Sequence, residues 1–311
     1  MKRKNNKNPW QIATFALFLI LIITQLYSVR SRLIIRLPFW ERFSPVTSSP
    51  VPLAQTVDFA KISGQIQPAD GVELPIRWGN LGQKLIASGV IDLAKFEKLF
   101  EQQNLSDEDR KLINGSDNGN LKITSHNSQL ILDLLWAIGL GNKNHILEEG
   151  PINQDPANTK NFASTGGWQG LSVGDPMTHF SRHQFITLTS EQQRLVEEVA
   201  KGVFRPCCGQ DTYFPDCNHG MAMLGALELG AAQGLTRDEL FKLALVLNQY
   251  WFSQTYLELA TFFAEKGISW ADVKPEEVLS AKYSSGQGYA SIRQQIKSLP
   301  SVQKGGGGCG A

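Results

Sequence analysis

Between Ser125 and Leu140 the chain reads SHNSQLILDLLWAIGL, and this run constrains the fold more than any other. A helix that is apolar on nearly every side cannot lie on a surface; other elements must enclose it. Gly141 and Asn142 supply its stop. It is the expected hydrophobic centre of the N-terminal half.

Amphipathic segments are available to do the enclosing. Leu81, Leu85 and Ile86, then Leu93, Phe96, Leu99 and Phe100, follow the three- and four-residue steps of helices. Gly89 reads as the stop of the first and Asp92 as the cap of the second. Ser106 with Asp109, Thr189 with Gln192 and Thr236 with Glu239 each have capping-box spacing. The second box opens a helix with Leu195, Val196, Val199 and Val203 on one face. The third opens a helix predicted to run about 30 residues to a stop at Gly267. Shorter helices are expected at Trp270–Val273, Pro275–Ala281 and Gly288–Leu299. No run after Gly71 alternates convincingly as a strand, so the expected class is all-α, a multi-helix globular domain.

The N-terminus predicts a compartment. Lys2, Arg3, Lys4 and Lys7 lead into WQIATFALFLILIITQLYSV, Trp10–Val29, an uncharged apolar run of about the 20 residues a helix needs to span a bilayer. No A-x-A-like cleavage site closes it, so an uncleaved anchor is favoured over a signal peptide. Arg30, Arg32 and Arg36 nearly balance the N-terminal positives, and the orientation adopted is a cytoplasmic N-terminus with the domain outside. The expected organisation is a basic segment (1–9), a transmembrane anchor (10–29), a juxtamembrane segment and Pro/Ser-rich linker (30–70), an N-terminal helical part (71–147), a C-terminal helical part with the site (148–299) and a Gly-rich tail (300–311). With 30 Lys and Arg against 29 Asp and Glu, no whole-chain field points to nucleic acid. The membrane is the one partner the sequence indicates.

Chemistry concentrates in RPCCGQDTYFPDCNHGMAMLGALELGAAQG, from Arg205 to Gly234, which holds three of the four cysteines. Asp216 is the natural cap of a helix whose first turn would carry Cys217, where the helix dipole favours thiolate. Cys207, Cys208, Cys217 and His219 make a thiolate and imidazole corner suited to zinc or copper(I), and Met221 or Met223 would add a thioether that copper(I) accepts. His179 and His183, four apart after Pro176, would share a helix face and could replace one of the cysteines. Phe180 stands where a zincin needs glutamate, which excludes that metalloprotease class.

Two other readings use the same residues. In one, Cys217 is a redox nucleophile, Cys207 or Cys208 resolves, and Cys309 of the tail shuttles electrons. In the other, a Cys207–Cys217 or Cys208–Cys217 disulfide staples the loop and no chemistry follows. Nothing requires catalysis. Asp216 and Glu228 read as a cap and a solvated helix position. Ala222, Ala226, Gly230 and Gly234 form a small-residue ridge expected to receive the long helix. The irregular segment from Glu148 to Asp175 reads as a lid or packed loop beside the site.

Overall fold

The computed structural model describes residues 57–103 and 105–300. The predicted anchor, most of the linker and Cys309 lie outside them. Among the described residues no helix is long and apolar enough to cross a membrane.

In chain order the elements are α1 (Phe59–Ile66), β1 (Val72–Gly79), α2 (Leu81–Ala87), α3 (Leu93–Leu99), α4 (Asp107–Asn114), β2 (Asn118–Ile123), α5 (Ser128–Gly141) and α6 (His145–Glu149). After several 3-10 turns come α7 (Ser190–Gly202), α8 (Asn218–Ala232), α9 (Arg237–Trp251), α10 (Ser253–Glu265), α11 (Pro275–Leu279), α12 (Ala281–Ser284) and α13 (Gly286–Arg293).

The described part is therefore helix-rich with one small sheet, and the all-α expectation is corrected by that sheet. β1 and β2 pair antiparallel, Val72 opposite Ile123 and Gly79 opposite Asn118, with a register shift between Glu73 and Arg77. Pro75 sits inside the shift. A proline has no N–H to give a ladder, so a strand carrying one reads poorly as a strand. The alternation is nevertheless there: Leu74, Ile76 and Trp78 are buried while Glu73, Pro75 and Arg77 face out.

Folded structure also begins earlier than expected. Within the stretch read as linker, Asp58 caps α1 by accepting from the Lys61 amide, and Ile62 and Ile66, four apart, are buried. Two large apolar side chains on one turn-spaced row are enough for a short helix to dock, here against α10.

The capping boxes all form. Ser106, Thr189 and Thr236 each accept from the third residue of their helix, and Asp109, Gln192 and Glu239 reach back. Thr236→Ala removes one of these caps and is expected to cost about 1 kcal/mol. In a thermal melt, that loss lowers the midpoint by about 2–4 °C for a domain of this size.

The predicted long helix is two helices. Phe252 leaves helical geometry at φ −130, ψ 50, ending α9 and starting α10. The ring of Phe252 lies 4.5 Å from the His219 ring and that of Trp251 6.0 Å from it. Consecutive residues of an unbroken helix point about 100° apart. The break turns both aromatics onto one imidazole.

α5 is the enclosed helix that its composition demands, with twelve consecutive buried residues from Leu130 to Gly141. Its principal neighbour is α8. At their crossing, a Cβ on Gly139 would stand 2.0 Å from the Met221 carbonyl oxygen, and one on Gly225 would stand 2.3 Å from that of Leu135. The ridge expectation is corrected here. The closest approach uses Gly225, one row over, and its partner is α5 rather than the long helix. Gly230 does face α9, at Leu240 and Leu243.

Candidate metal centre

The site is a loop folded over the N-terminus of α8. After α7, the Phe204 amide donates to Leu279, and Thr212 binds back through its amide and hydroxyl to Val203. The Gly286 amide donates to the Cys208 carbonyl at 2.7 Å, and the Ser164 amide donates to that of Asp216 at 3.2 Å. The loop is thus tied to α7, to the start of α13 and to the irregular segment, whose Phe162 ring lies 5.4 Å from that of Phe214.

Cys217 is itself the N-cap, its sulfur accepting from the Gly220 amide at 3.4 Å. This displaces Asp216 from the capping role the sequence suggested. Asp216 instead pairs with Arg205, Nη2 to Oδ1 at 2.8 Å. The same nitrogen donates to the Phe214 carbonyl at 3.3 Å and to the Cys208 sulfur at 3.4 Å. Arg205 is wholly enclosed. It can lie flat on the first turn of α8 because Gly220 has no side chain; a Cβ there would stand 2.7 Å from Cζ.

Around this cation the sulfurs of Cys207, Cys208 and Cys217 all lie within 4.8 Å of one another. The Cys207 and Cys217 sulfurs are 3.7 Å apart. All three cysteines are free thiols, so the staple is not formed. Three sulfurs at this spacing could hold a metal ion.

The charges divide unevenly. Hydrogen bonding from Cys207 and Cys208, the Arg205 charge and the His219 contact hold the Cys217 thiol well below its ordinary range. Cys207 is pushed up, because it is the donor to Cys208 and Cys217 and is partly buried. For Cys208 the hydrogen bond from Cys207 pulls down, but its bond to Cys217 and burial outweigh it. Burial lifts the Asp216 carboxyl despite the ion pair. For Arg205, the burial cost is overcome by the charges of Cys217, Cys208 and Asp216. Among the described residues its Nε and Nη1 have no hydrogen-bond partner. A buried guanidinium with open donors beside three sulfurs favours the first of them to ionise.

The other predicted residues are placed as follows. His219, in the first turn of α8, is buried against Phe252 and Trp251 and is not in the sulfur group, and its Nδ1 has no partner among the described residues. Met221 and Met223 are fully buried members of the hydrophobic core. His179 and His183 are not on one helix: a 3-10 turn covers only Pro176–Thr178, and Ser181 has φ 54. The two rings still meet, Nδ1 to Nε2 at 3.1 Å. Neither joins the sulfur cluster. Burial and the neighbouring His179 hold His183 below its ordinary pKa.

Arg205 is the residue sequence reading overlooked. Its signal was an arginine and an aspartate bracketing the cysteines, RPCC and DC, opposite charges with no helix to share. Glu228 is a second correction. It is not solvated but fully buried, accepting from the side-chain amides of Asn142, at 2.9 Å, and Asn144. Burial raises its pKa well above the ordinary carboxylate range.

No protein family, no curated protein and no solved structure matches this chain.

Proposed function

We propose that this protein binds a soft or borderline metal ion, copper(I) or zinc, for storage, delivery or sensing, on the outer face of a membrane to which Trp10–Val29 anchors it. The observation that carries the metal reading is the gathering of three thiol sulfurs within 4.8 Å beside a buried arginine. Thiolates repel one another, and Arg205 supplies a positive charge that lowers that repulsion in the absence of the ion. Three sulfurs alone suit copper(I). Zinc takes four donors; His219 lies outside the group of three sulfurs, but it follows Cys217 by two residues with no partner on Nδ1 among the described residues, and it is the imidazole we assign as the fourth.

The test is elemental mass spectrometry of the full chain, purified without chelator, beside a free-thiol count. One copper or zinc per chain is expected at the sulfurs, and C217S is expected to lower the bound metal by that one ion. H219Q then separates the ions: zinc is lost and copper(I) is kept. Reduced protein that takes up neither ion on reconstitution refutes the reading.

The 3.7 Å approach of Cys207 to Cys217 favours one second reading, thiol–disulfide exchange. The Cys217 thiolate attacks a substrate disulfide, one substrate thiolate leaves, and Cys207 resolves the mixed disulfide, passing two electrons to the substrate. Metal-free protein with two of the three thiols oxidised as isolated leaves this reading or a disulfide staple, which the reduction potential of the pair separates, and a readily reduced pair makes Cys309 the residue to examine as a shuttle.

A further inference from the structure

His179 and His183 stand apart from the sulfurs and meet in an uncommon way. Their facing nitrogens are 3.1 Å apart, their ring centroids 5.3 Å, and their planes differ by 26°. The centroid separation is what the nitrogen contact plus one ring radius on each side amounts to. Both nitrogens therefore lie on the line joining the rings, opposed end to end.

The backbone holds them there. His183 donates its amide to the Gly141 carbonyl at 2.8 Å and accepts from the Lys143 amide at 2.7 Å. Ser181, between the two histidines, is the non-glycine residue with positive φ among the described residues. One tautomer is set as well. Nε2 of His179 is 3.0 Å from the Val173 carbonyl, which can only accept, so the proton sits on Nε2 and the lone pair of Nδ1 faces the gap. Metal-binding imidazoles are commonly oriented by such a bond to a carbonyl. The Phe185 ring lies 5.1 Å from that of His183, and Val173 and Gly89 border His179.

We propose that His179 and His183 form a second metal station, a linear two-imidazole site for copper(I), independent of the sulfur cluster. Zinc needs lone pairs converging on a tetrahedral centre and further protein donors. Here the lone pairs oppose each other, and neither imidazole belongs to a set of three ligating side chains among the described residues. A closed-shell monovalent ion accepts two opposed nitrogens. With metal–nitrogen bonds of ~2 Å the nitrogens must stand ~4 Å apart, about 1 Å wider than the hydrogen-bonded pair. His183, the more exposed of the two residues, is the ring that moves. In the ion-free state its Nε2–H donates to His179 Nδ1. When copper takes that place, the proton passes through solvent to His183 Nδ1, both rings stay neutral, and no proton is released overall.

The test uses the full chain carrying C207S, C208S, C217S and C309S, so that no thiol competes, given copper(I) as its acetonitrile complex without oxygen. One ion per chain is expected, with an X-ray absorption edge of linear two-coordinate copper and nitrogen neighbours only; adding H179Q and H183Q abolishes it. A folded thiol-free chain that retains no copper(I), or retains it with three or four neighbours, overturns the proposal. Nitrogen-15 NMR of the histidines in the wild-type chain provides the check if that variant does not fold. With two equivalents of copper(I), His183 must change from the Nε2–H to the Nδ1–H tautomer, and an unchanged His183 overturns the proposal equally. Copper on the imidazoles with none on the sulfurs of the wild type sinks the thiol reading alone.

Discussion

Gly225→Ala is expected to destabilise the protein by about 3 kcal/mol or more, the range of severe overpacking in a core. The new methyl group would stand 2.3 Å from the Leu135 carbonyl oxygen and 2.8 Å from the Gly139 amide nitrogen. Both are backbone atoms of α5, so no side chain can rotate away, and the two helices must separate. That separation opens the buried contact between α5 and α8 and shifts the turn of α8 that carries Cys217. Urea unfolding measures it as a lower midpoint at unchanged slope. Gly64→Ala is the control. It lies in α1 with nothing within 4 Å of its would-be Cβ, and alanine there should be neutral or stabilise by up to about 1 kcal/mol. Equal midpoints for the two variants would contradict the close approach.

The second large effect is pH-dependent. Asp133 is 2% exposed inside α5, with the Gln129 amide at 3.1 and 3.2 Å from its two oxygens and no ion-pair partner among the described residues. Burial raises its pKa from 3.8 to about 7, against the smaller opposing pull of Gln129. Between these values the unfolded chain has lost the proton while the folded chain keeps it. Stability linked to this group is therefore fully present below about pH 4 and falls as pH rises to about 7. A shift of about three units corresponds to about 4 kcal/mol. Asp133→Asn keeps the shape without the charge, so it should gain most of that at pH 8 and almost nothing at pH 4. Glu228 pushes the wild-type curve in the same direction, and exposed carboxylates with lowered pKa, such as Glu276, push weakly the other way. Only the difference between variant and wild type at each pH isolates Asp133. A difference that does not change between pH 4 and 8 would show that the carboxyl is not held neutral.

The sequence was legible where structure depends on near neighbours. The three capping boxes, the stop at Gly89 and the buried character of α5 involve residues within four positions of one another, and all appear as read. The strands were hidden by Pro75, which breaks the ladder that would advertise β1. The break at Phe252 was hidden because its local propensity is helical; the imidazole it turns to meet is 33 positions away in sequence, on α8. Glu228 looked like a solvated position because a single glutamate in a helix usually is one. Its partners, Asn142 and Asn144, arrive from the end of α5.

The same division runs through the candidate site. Sequence alone determined that thiols and an imidazole crowd one loop-to-helix corner, and that an apolar anchor-length run precedes the domain. Tertiary structure decided which of them lie together. It placed Arg205 under the sulfurs by way of Gly220, kept Met221 and Met223 in the core, and drew His179 and His183 into a pair of their own. The physical reason is range. Hydrogen-bonded turns and helix periods are set over a few residues, whereas a buried charge, a missing Cβ and an opposed pair of rings acquire meaning only from what the rest of the chain packs against them.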